Sequence, residues 1–303
     1  MYTLSIIIPV YNSEKYLPHL LTQLEQLDRK KIEIIFVDDG SNDGSKNIIK
    51  KAIRKNIKYI YQKNSGAPSA RNKGLMESEG KYVYFIDSDD LLNLYGLKKI
   101  IQYLENKIHL DVLIANFEYV DSSNSSFIYE NFVYSDLPKK NEACHLSPIP
   151  GNKIYRKKYL LDNNIYFFNV RIGQDLNFFL KAIDSASIIE YCNESIYRYF
   201  IRENSISTSY DSRIADIILS IDNAENCCNT IDKTTFNEIK YTHFNYQLTK
   251  VPKIKQKDQQ RYVVKKLTDS IKKIPRKDAI NNCNCKILFC NFIRRKIFEF
   301  KYL

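Results

Sequence analysis

The chain has 303 residues, a hydrophobic fraction of 44% and only 8 Gly and 8 Pro, which is typical of a globular protein and excludes a disordered one. Its net charge of +11 lies entirely in residues 251–303, because residues 1–250 carry equal numbers of basic and acidic side chains. No stretch reaches the roughly 18 apolar residues of a membrane span, and the start lacks a signal-peptide pattern. We therefore expect a cytoplasmic protein, with peripheral attachment to the inner face of the cytoplasmic membrane as the alternative.

Apolar runs alternate with helix-period segments in the first third of the chain, which predicts α/β structure with a mainly parallel sheet. The segment 17–24 has leucines at helical spacing, and Asn12 or Ser13 is placed to cap that helix. The chain beyond residue 210 is predicted to be helical. The predicted strands cover residues 4–10, 32–37, 57–61, 81–86 and 111–119.

Polar or aromatic side chains follow three of the predicted strands. Tyr11 follows the first, the pair Asp38–Asp39 the second, and the run from Asp87 to Asp90 the fourth. Because ligands of an open parallel sheet bind beyond the carboxyl ends of the strands, we expect these side chains to converge on one rim. There, carboxylates suit nucleotide hydroxyls and a Mg²⁺ or Mn²⁺ ion beside phosphates. The plainer alternative is that Asp-rich turns merely end the strands.

Two common nucleotide-binding classes are disfavoured by missing motifs. The sequence has no Gly-x-Gly-x-x-Gly after the first strand, and no Gly-x-x-x-x-Gly-Lys followed by Ser or Thr. Dinucleotide enzymes and P-loop NTPases are therefore disfavoured. A nucleotidyltransferase is disfavoured as well, because residues 9–16 contain no Gly for a triphosphate loop.

Four motifs in order resemble the inverting family two of GT-A-fold glycosyltransferases, typified by bacterial enzymes that build capsule, O-antigen and lipooligosaccharide. They are SIIIPVYN at 5–12, EIIFVDDGSNDGS at 33–45, NSGAPSARNKG at 64–74 and FIDSDD at 85–90. The resemblance continues more faintly to about residue 210. Four ordered motifs are a far more specific signal than one Asp-x-Asp alone.

The resemblance implies a GT-A catalytic domain over residues 1–210, with a nucleotide-binding half at 1–92 and an acceptor half at 93–210. A helical, basic region over 211–303 would follow. The implied activity is metal-dependent, inverting transfer of a sugar from a UDP-sugar to a hydroxyl of a glycan or lipid-linked acceptor in bacterial surface polysaccharide or lipooligosaccharide synthesis. Processive members carry Gln-x-x-Arg-Trp, and this chain has no Trp, so we expect transfer of a single sugar.

The resemblance also assigns roles within the donor pocket. It implies that Asp39 accepts from the uracil, that Asp38 or Asp87 lies near the ribose, and that Asp89 is the ligand of Mn²⁺ or Mg²⁺. Where the family often has a His, this chain has Arg198 and Arg202, which can pair with diphosphate oxygens. The other residues that the resemblance places in this pocket are Pro9, Tyr11, Arg71 and Ser88.

Asp175 is the candidate general base, because inversion needs a carboxylate that takes the proton from the attacking hydroxyl. It opens a predicted helix with an apolar face formed by Leu176, Phe179, Leu180 and Ile183. In the family a Glu usually precedes this position, and here the residue is Gln174. The alternative for Asp175 is an ordinary helix N-cap.

The basic segment 251–303 suits attraction to an anionic surface, and a solvated helical face is an equally good explanation. It also supports a different class of function, namely a catalytically silent binding module whose basic tail recruits anionic membrane or nucleic acid. A silent module has no need for repelling carboxylates at two strand ends. The enzyme is therefore the preferred hypothesis, with a UDP-sugar and a saccharide acceptor as its partners and no nucleic acid.

Overall fold

The computed structural model describes residues 2–107, 109–120, 126–129, 140–200 and 210–280. The chain forms two compact units, which we call the sheet unit and the helical unit. The sheet unit comprises Met1–Val133, Ile149–Asn169 and Ala186–Ile201, and the helical unit comprises Tyr134–Pro148, Val170–Ser185 and Arg202–Leu303. This partition interleaves the two units along the chain, so it does not follow a single boundary at residue 210. The predicted catalytic domain over 1–210 stays a prediction.

The strands of the sheet unit are β1 (Leu4–Val10), β2 (Ile32–Asp38), β3 (Ile57–Tyr61), β4 (Tyr82–Phe85), β5 (Leu91–Leu92), β6 (Val112–Val120), β7 (Ser126–Tyr129), β8 (Lys153–Arg156) and β9 (Ile189–Phe200). They form one mixed sheet in the order β3-β2-β1-β4-β8-β6-β9-β5, with β7 paired to β6. Strands β1 to β4 are parallel to one another, and all five predicted strands are present.

The helices of the sheet unit follow the predicted alternation and are α1 (Leu17–Leu24), α2 (Ser45–Ala52), α3 (Ala67–Glu77), α4 (Leu94–Glu105) and α6 (Lys157–Asp162). The helical unit contains α5 (Lys140–Ala143), α7 (Gln174–Ser185), α8 (Asp216–Cys227), α9 (Lys233–Leu248), α10 (Lys257–Lys272) and α11 (Arg276–Ile280). Helix α7 buries the four apolar residues predicted for its inner face. None of the helices in the described ranges is both long and apolar enough to cross a membrane.

The strand order places a topological switch point at the carboxyl ends of β1 and β4, and we call this edge of the sheet the crevice. The chain passes from β1 to β2 on one side and returns to β4 on the other, and such a reversal is where open α/β sheets bind ligands. Pairing between β1 and β4 runs only from Leu4 to Ile7. Alternate residues of a strand turn their backbone groups to opposite neighbours, so Pro9 faces the same side as Ile7, which is the side of β4. The pairing with β4 has already ended at Ile7. The missing N–H of Pro9 therefore costs no hydrogen bond of the sheet.

One buried carboxylate ties α7 to the turn before α9 in the helical unit. Asp184 accepts hydrogen bonds from the backbone N–H groups of Asn229, Thr230 and Ile231 at 2.9, 2.7 and 2.8 Å. Burial alone raises the pKa of Asp184, but these backbone donors outweigh it and hold the pKa below its usual value. The group is therefore ionised at neutral pH, and it fixes the C-terminal end of the helix that begins with Gln174 and Asp175.

Candidate active site

The loops after β1, β2 and β4 are bonded to one another at the crevice. Asn12, with φ at 49°, donates its N–H to Ser41 Oγ at 3.0 Å, and its side-chain oxygen accepts from the N–H of Asn42 at 2.8 Å. The hydroxyls of Ser13 and Ser88 share a hydrogen bond of 2.7 Å. The N-cap position of α1 is Tyr16, so the prediction that Asn12 or Ser13 caps this helix is wrong, and both side chains instead join loops. Ser88 is 7% exposed, and its buried hydrogen bond with Ser13 fixes the loop after β4.

Asp39 is buried and organises the loop that leads into α3. Its Oδ1 accepts from the N–H of Ser65 at 2.8 Å and from Gln62 Nε2 at 2.7 Å. Its Oδ2 accepts from the N–H of Gly66 at 2.8 Å, where the backbone has φ at 91°. A carboxylate offers about four acceptor positions, so one remains for a base N–H. The predicted contact of Asp39 with uracil stays a prediction.

The two candidates for the ribose differ sharply in exposure. Asp38 is fully buried, and its oxygens accept from the N–H of Ser41 at 2.8 Å and from the hydroxyl of Tyr59 at 2.7 Å. Burial, together with this bond, raises the pKa of Tyr59, so its hydroxyl stays protonated as a donor. The side chain of Asp87 is 44% exposed at the crevice. The geometry therefore favours Asp87 over Asp38 for contact with a ligand.

Arg71 lies beside Asp87 in a defined cradle. Its Nη2 is 2.6 Å from Asp87 Oδ1, and its guanidinium lies 5.1 Å from the ring centroid of Phe167. Phe167 is held by Asn72, whose amide oxygen accepts from the Phe167 N–H at 2.8 Å and whose Nδ2 donates to the Phe167 carbonyl at 2.9 Å. The guanidinium is thus fixed by an ion pair on one side and an aromatic face on another. Neither residue was predicted for the site from the sequence: Asn72 lies inside the third motif, and Phe167 has no sequence signal of its own.

Three carboxylates cluster directly after β4. Asp87, Asp89 and Asp90 each offer an oxygen, and these atoms all lie within 4.8 Å of one another. The N–H of Asp90 donates to the carbonyl of Asp87 at 3.2 Å, which closes the turn. Asp90 is buried and accepts a hydrogen bond from the hydroxyl of Tyr197. A set of carboxylate oxygens is the chemistry that Mg²⁺ and Mn²⁺ prefer, so these residues fit a hard divalent ion.

The remaining donor-pocket candidates occupy different surroundings. Tyr11 is 51% exposed at the crevice, which leaves its ring accessible for stacking, whereas Pro9 is buried within β1. Arg198 forms an ion pair with Glu118 at 2.9 Å, and its predicted pairing with diphosphate stays a prediction. Arg202 lies outside the described residues.

Asp175 lies in the first turn of α7, in the helical unit. The helix begins at Gln174, and the carbonyl of Gly173 accepts from the N–H of Asn177 at 2.9 Å, so Gly173 has the N-cap position. The alternative that Asp175 itself is the N-cap is therefore wrong. Gly173 has φ at +86°, and a Cβ there would lie 2.7 Å from Ser220 Oγ on α8. The role of Asp175 as a base stays a prediction.

The parallel β3-β2-β1-β4 sheet, with an acidic rim at its switch point, defines an α/β domain of the GT-A type. The chain belongs to glycosyl transferase family 2, whose family model matches residues 5–166. This confirms both the predicted family and the predicted fold class.

Two curated relatives and one crystal structure show the extent of the similarity. The chain is 34% identical over 222 residues to TarS of Staphylococcus aureus, a poly(ribitol-phosphate) beta-N-acetylglucosaminyltransferase, covering 70% of this chain and 38% of TarS. It is 31% identical over 226 residues to the glycosyltransferase GlyA of Streptococcus pneumoniae, covering 67% of this chain and 31% of GlyA. The crystal structure of S. aureus TarS 1-349 in complex with UDP-GlcNAc matches with a TM-score of 0.69 and 27% identity, over 92% of this chain and 83% of that one. The chain thus spans well under half the length of these curated relatives.

Proposed function

We propose that this chain is a metal-dependent, inverting glycosyltransferase that moves one sugar from a UDP-sugar to a hydroxyl of a glycan or lipid-linked acceptor in bacterial surface polysaccharide or lipooligosaccharide synthesis. The observation that carries the proposal is the carboxylate cluster Asp87, Asp89 and Asp90 beside Arg71 at the switch point of the sheet. Family membership supports the class of reaction. The similarity to TarS in complex with UDP-GlcNAc supports a UDP-sugar as the donor.

The donor fits the crevice in three parts. The exposed ring of Tyr11 offers a stacking face for the base, and the remaining acceptor position of Asp39 suits the uracil N–H. The half-exposed carboxylate of Asp87 suits the ribose hydroxyls. Arg71 is permanently charged and adjoins the acidic cluster, so it offsets part of the repulsion among the carboxylates and lies where a diphosphate would pass.

Asp89, with Asp87 and Asp90, would hold the divalent ion. When bound, Mg²⁺ or Mn²⁺ supplies electrostatic stabilisation of the charge that grows on the leaving nucleoside diphosphate. In the transfer step, the acceptor oxygen attacks the anomeric carbon on the face opposite UDP, and the bond to the UDP oxygen breaks with its electron pair. Asp175 takes the proton of the acceptor hydroxyl as this oxygen becomes nucleophilic. The anomeric configuration is inverted because one displacement occurs.

Equilibrium binding of UDP in Mn²⁺ and in EDTA tests the donor part of this proposal. We expect UDP to bind in Mn²⁺ and to bind far more weakly in EDTA, because the diphosphate and the carboxylates repel each other without an ion between them. GDP should compete poorly, because the proposed donor is a UDP-sugar. Equal affinity in Mn²⁺ and EDTA would contradict metal dependence, and absence of UDP binding in both would contradict the proposal as a whole.

The basic face of α10 suits an anionic lipid surface, which is where a lipid-linked acceptor would be met from the cytoplasmic side. Lys257, Arg261 and Lys265 recur every four residues and are exposed, so they form one stripe on the helix. Tyr262 and Val264 beside them are 50% and 40% exposed. Basic side chains attract anionic lipid, and exposed aromatic and apolar groups favour the interface. This arrangement supports peripheral attachment of the enzyme through α10.

Replacing Lys257, Arg261 and Lys265 together by Gln is expected to weaken binding to phosphatidylserine vesicles roughly hundredfold, because each basic residue near the surface contributes about 1 kcal/mol. Cosedimentation at low salt measures this partition. The matched control replaces Lys46, Lys50 and Lys51 on α2, which are equally exposed. If the control variant loses as much vesicle binding as the α10 variant, the general charge of the protein is responsible and the role of α10 is wrong. Tighter binding of the wild type to an oligonucleotide than to vesicles would favour the nucleic-acid alternative.

A further inference from the structure

A buried hydrogen bond lies behind the carboxylate cluster. The hydroxyl of Tyr197 on β9 donates to Asp90 Oδ2, and the two residues are 2% and 5% exposed. The segment that follows Asp90 is β5, which pairs antiparallel with β9 so that Leu92 is opposite Tyr197. Tyr197 therefore contacts the end of this loop in two ways, through the hydrogen bond of its hydroxyl to Asp90 and through the pairing of β9 with β5.

The ring of Tyr197 is held in a close-fitting site. A Cβ on Gly151 would lie 2.3 Å from ring atom Cε2, so only a glycine allows the backbone to pack against this face. The carbonyl of Gly151 in turn accepts from the hydroxyl of Tyr84 at 2.6 Å, and Phe117 of β6 is opposite Tyr197 in the register. With backbone on one side and two strands around it, the phenol has little room to move its hydroxyl.

The turn from Asp87 to Asp90 is thus fixed at both ends by different elements. Arg71 of α3 binds the carboxylate of Asp87, and Tyr197 of β9 binds the carboxylate of Asp90. Asp89 lies between these two fixed points, and the hydrogen bond from the Asp90 N–H to the Asp87 carbonyl closes the turn. Three like charges this close repel one another, so the turn needs such partners to keep the carboxylates together.

We propose that Tyr197 is a positioning residue of the cation site, because its hydroxyl holds Asp90 so that three carboxylates stay within reach of one divalent ion. The inference rests on the proposed function, since it concerns the ion that the cluster would bind. Groups that orient a ligating carboxylate typically change metal affinity by about 10- to 100-fold when they are removed. Tyr197 acts on the ion only through Asp90, so its effect depends on the charge of that residue.

Tyr197→Phe removes the hydroxyl and keeps the ring, and Tyr82→Phe is its matched control. Tyr82 is also buried, and its hydroxyl donates to the carbonyl of Lys107 at 3.0 Å, away from the cluster and from Gly151. Loss of the free Mn²⁺ electron paramagnetic resonance signal, with UDP present, measures the Kd for Mn²⁺ directly. We expect Tyr197→Phe to raise this Kd about tenfold or more and Tyr82→Phe to leave it unchanged. UDP binding in EDTA should be the same in wild type and both variants.

A double-mutant cycle with Asp90→Asn separates positioning from general damage to the fold. Once Asp90 has lost its charge, holding it in place no longer contributes to ion affinity, so Tyr197→Phe should have no further effect on the Kd for Mn²⁺. Equal effects of the two Tyr variants, or an undiminished effect of Tyr197→Phe in the Asp90→Asn protein, would overturn the positioning role and leave the proposed function intact. Failure of the wild type to bind Mn²⁺ would overturn both.

Discussion

Replacing Asp89 by Ala is expected to lower the rate of sugar transfer roughly a thousandfold, because a catalytic ion contributes several kcal/mol and each 1.36 kcal/mol is about tenfold in rate. Asp89 is one of three carboxylates within 4.8 Å, so its loss leaves too few ligands for tight binding of the ion. The same change removes one of three repelling charges, and the protein should therefore unfold at the same temperature or higher. The measurements are the transfer rate at a Mn²⁺ concentration that just saturates the wild type, and the midpoint of thermal unfolding.

Asp28→Ala is the matched control for this variant. Asp28 is an exposed acid of the sheet unit whose Oδ1 accepts from the N–H of Lys30 at 2.9 Å, far from the crevice loops in sequence. It should transfer sugar at the wild-type rate. Asp89→Ala with normal Mn²⁺-dependent UDP binding would show that the ion is held elsewhere, and the assignment of the cluster would then be wrong.

Asp175→Asn is expected to reduce transfer by about 10²- to 10⁴-fold while UDP binding stays normal, since a positioned general base contributes about that much. The amide has the shape of the carboxylate and cannot take the proton from the acceptor hydroxyl. Asp175 is half-buried in the first turn of α7, and Asn has nearly the same size and shape, so the substitution should not disturb the fold. Single-turnover transfer with a saturating donor measures the step in which the base acts.

Gln174→Ala serves as the control in the same turn of α7, and it also probes the departure from the Glu that the family usually has there. It should retain the pH dependence of the wild-type rate, even if the apparent affinity for the acceptor changes. In contrast, the residual rate of Asp175→Asn should lose the limb of the pH profile that rises with ionisation of the base. Transfer by Asp175→Asn at the normal rate would show that Asp175 is not the general base.

The sequence was sufficient for the parts of the fold that depend on local pattern. Buried runs such as 4–10 and 32–37 appear as β1 and β2, and the leucines of 17–24 form the inner face of α1. The position of β6 was not predictable in the same way. It is separated from β4 by β8, a strand of four residues that is antiparallel to both, and such pairing depends on contacts distant in sequence.

The candidate site shows the same division between local and distant signals. The acidic runs after β2 and β4 could be predicted because adjacent residues form them. Which of these carboxylates are buried and which are exposed to a ligand could not be predicted. Asp38 is buried and accepts a hydrogen bond from Tyr59, whereas the side chain of Asp87 is half-exposed. Only the folded structure shows this difference between the two carboxylates. Tyr197 lies 107 residues from Asp90, and Phe167 lies 95 residues from Asn72, so no motif spacing could connect either pair.

The most direct test of the proposed enzyme is release of nucleoside diphosphate from UDP-, GDP- and dTDP-sugars, in Mn²⁺ and in EDTA, with candidate saccharide acceptors present. The Asp89→Ala protein is the blank. We expect release from a UDP-sugar that requires both Mn²⁺ and Asp89. Release that is unaffected by EDTA and by Asp89→Ala would contradict the proposed function. Binding to anionic vesicles without UDP binding and without turnover of any donor would also contradict it, because that is the behaviour of a silent binding module.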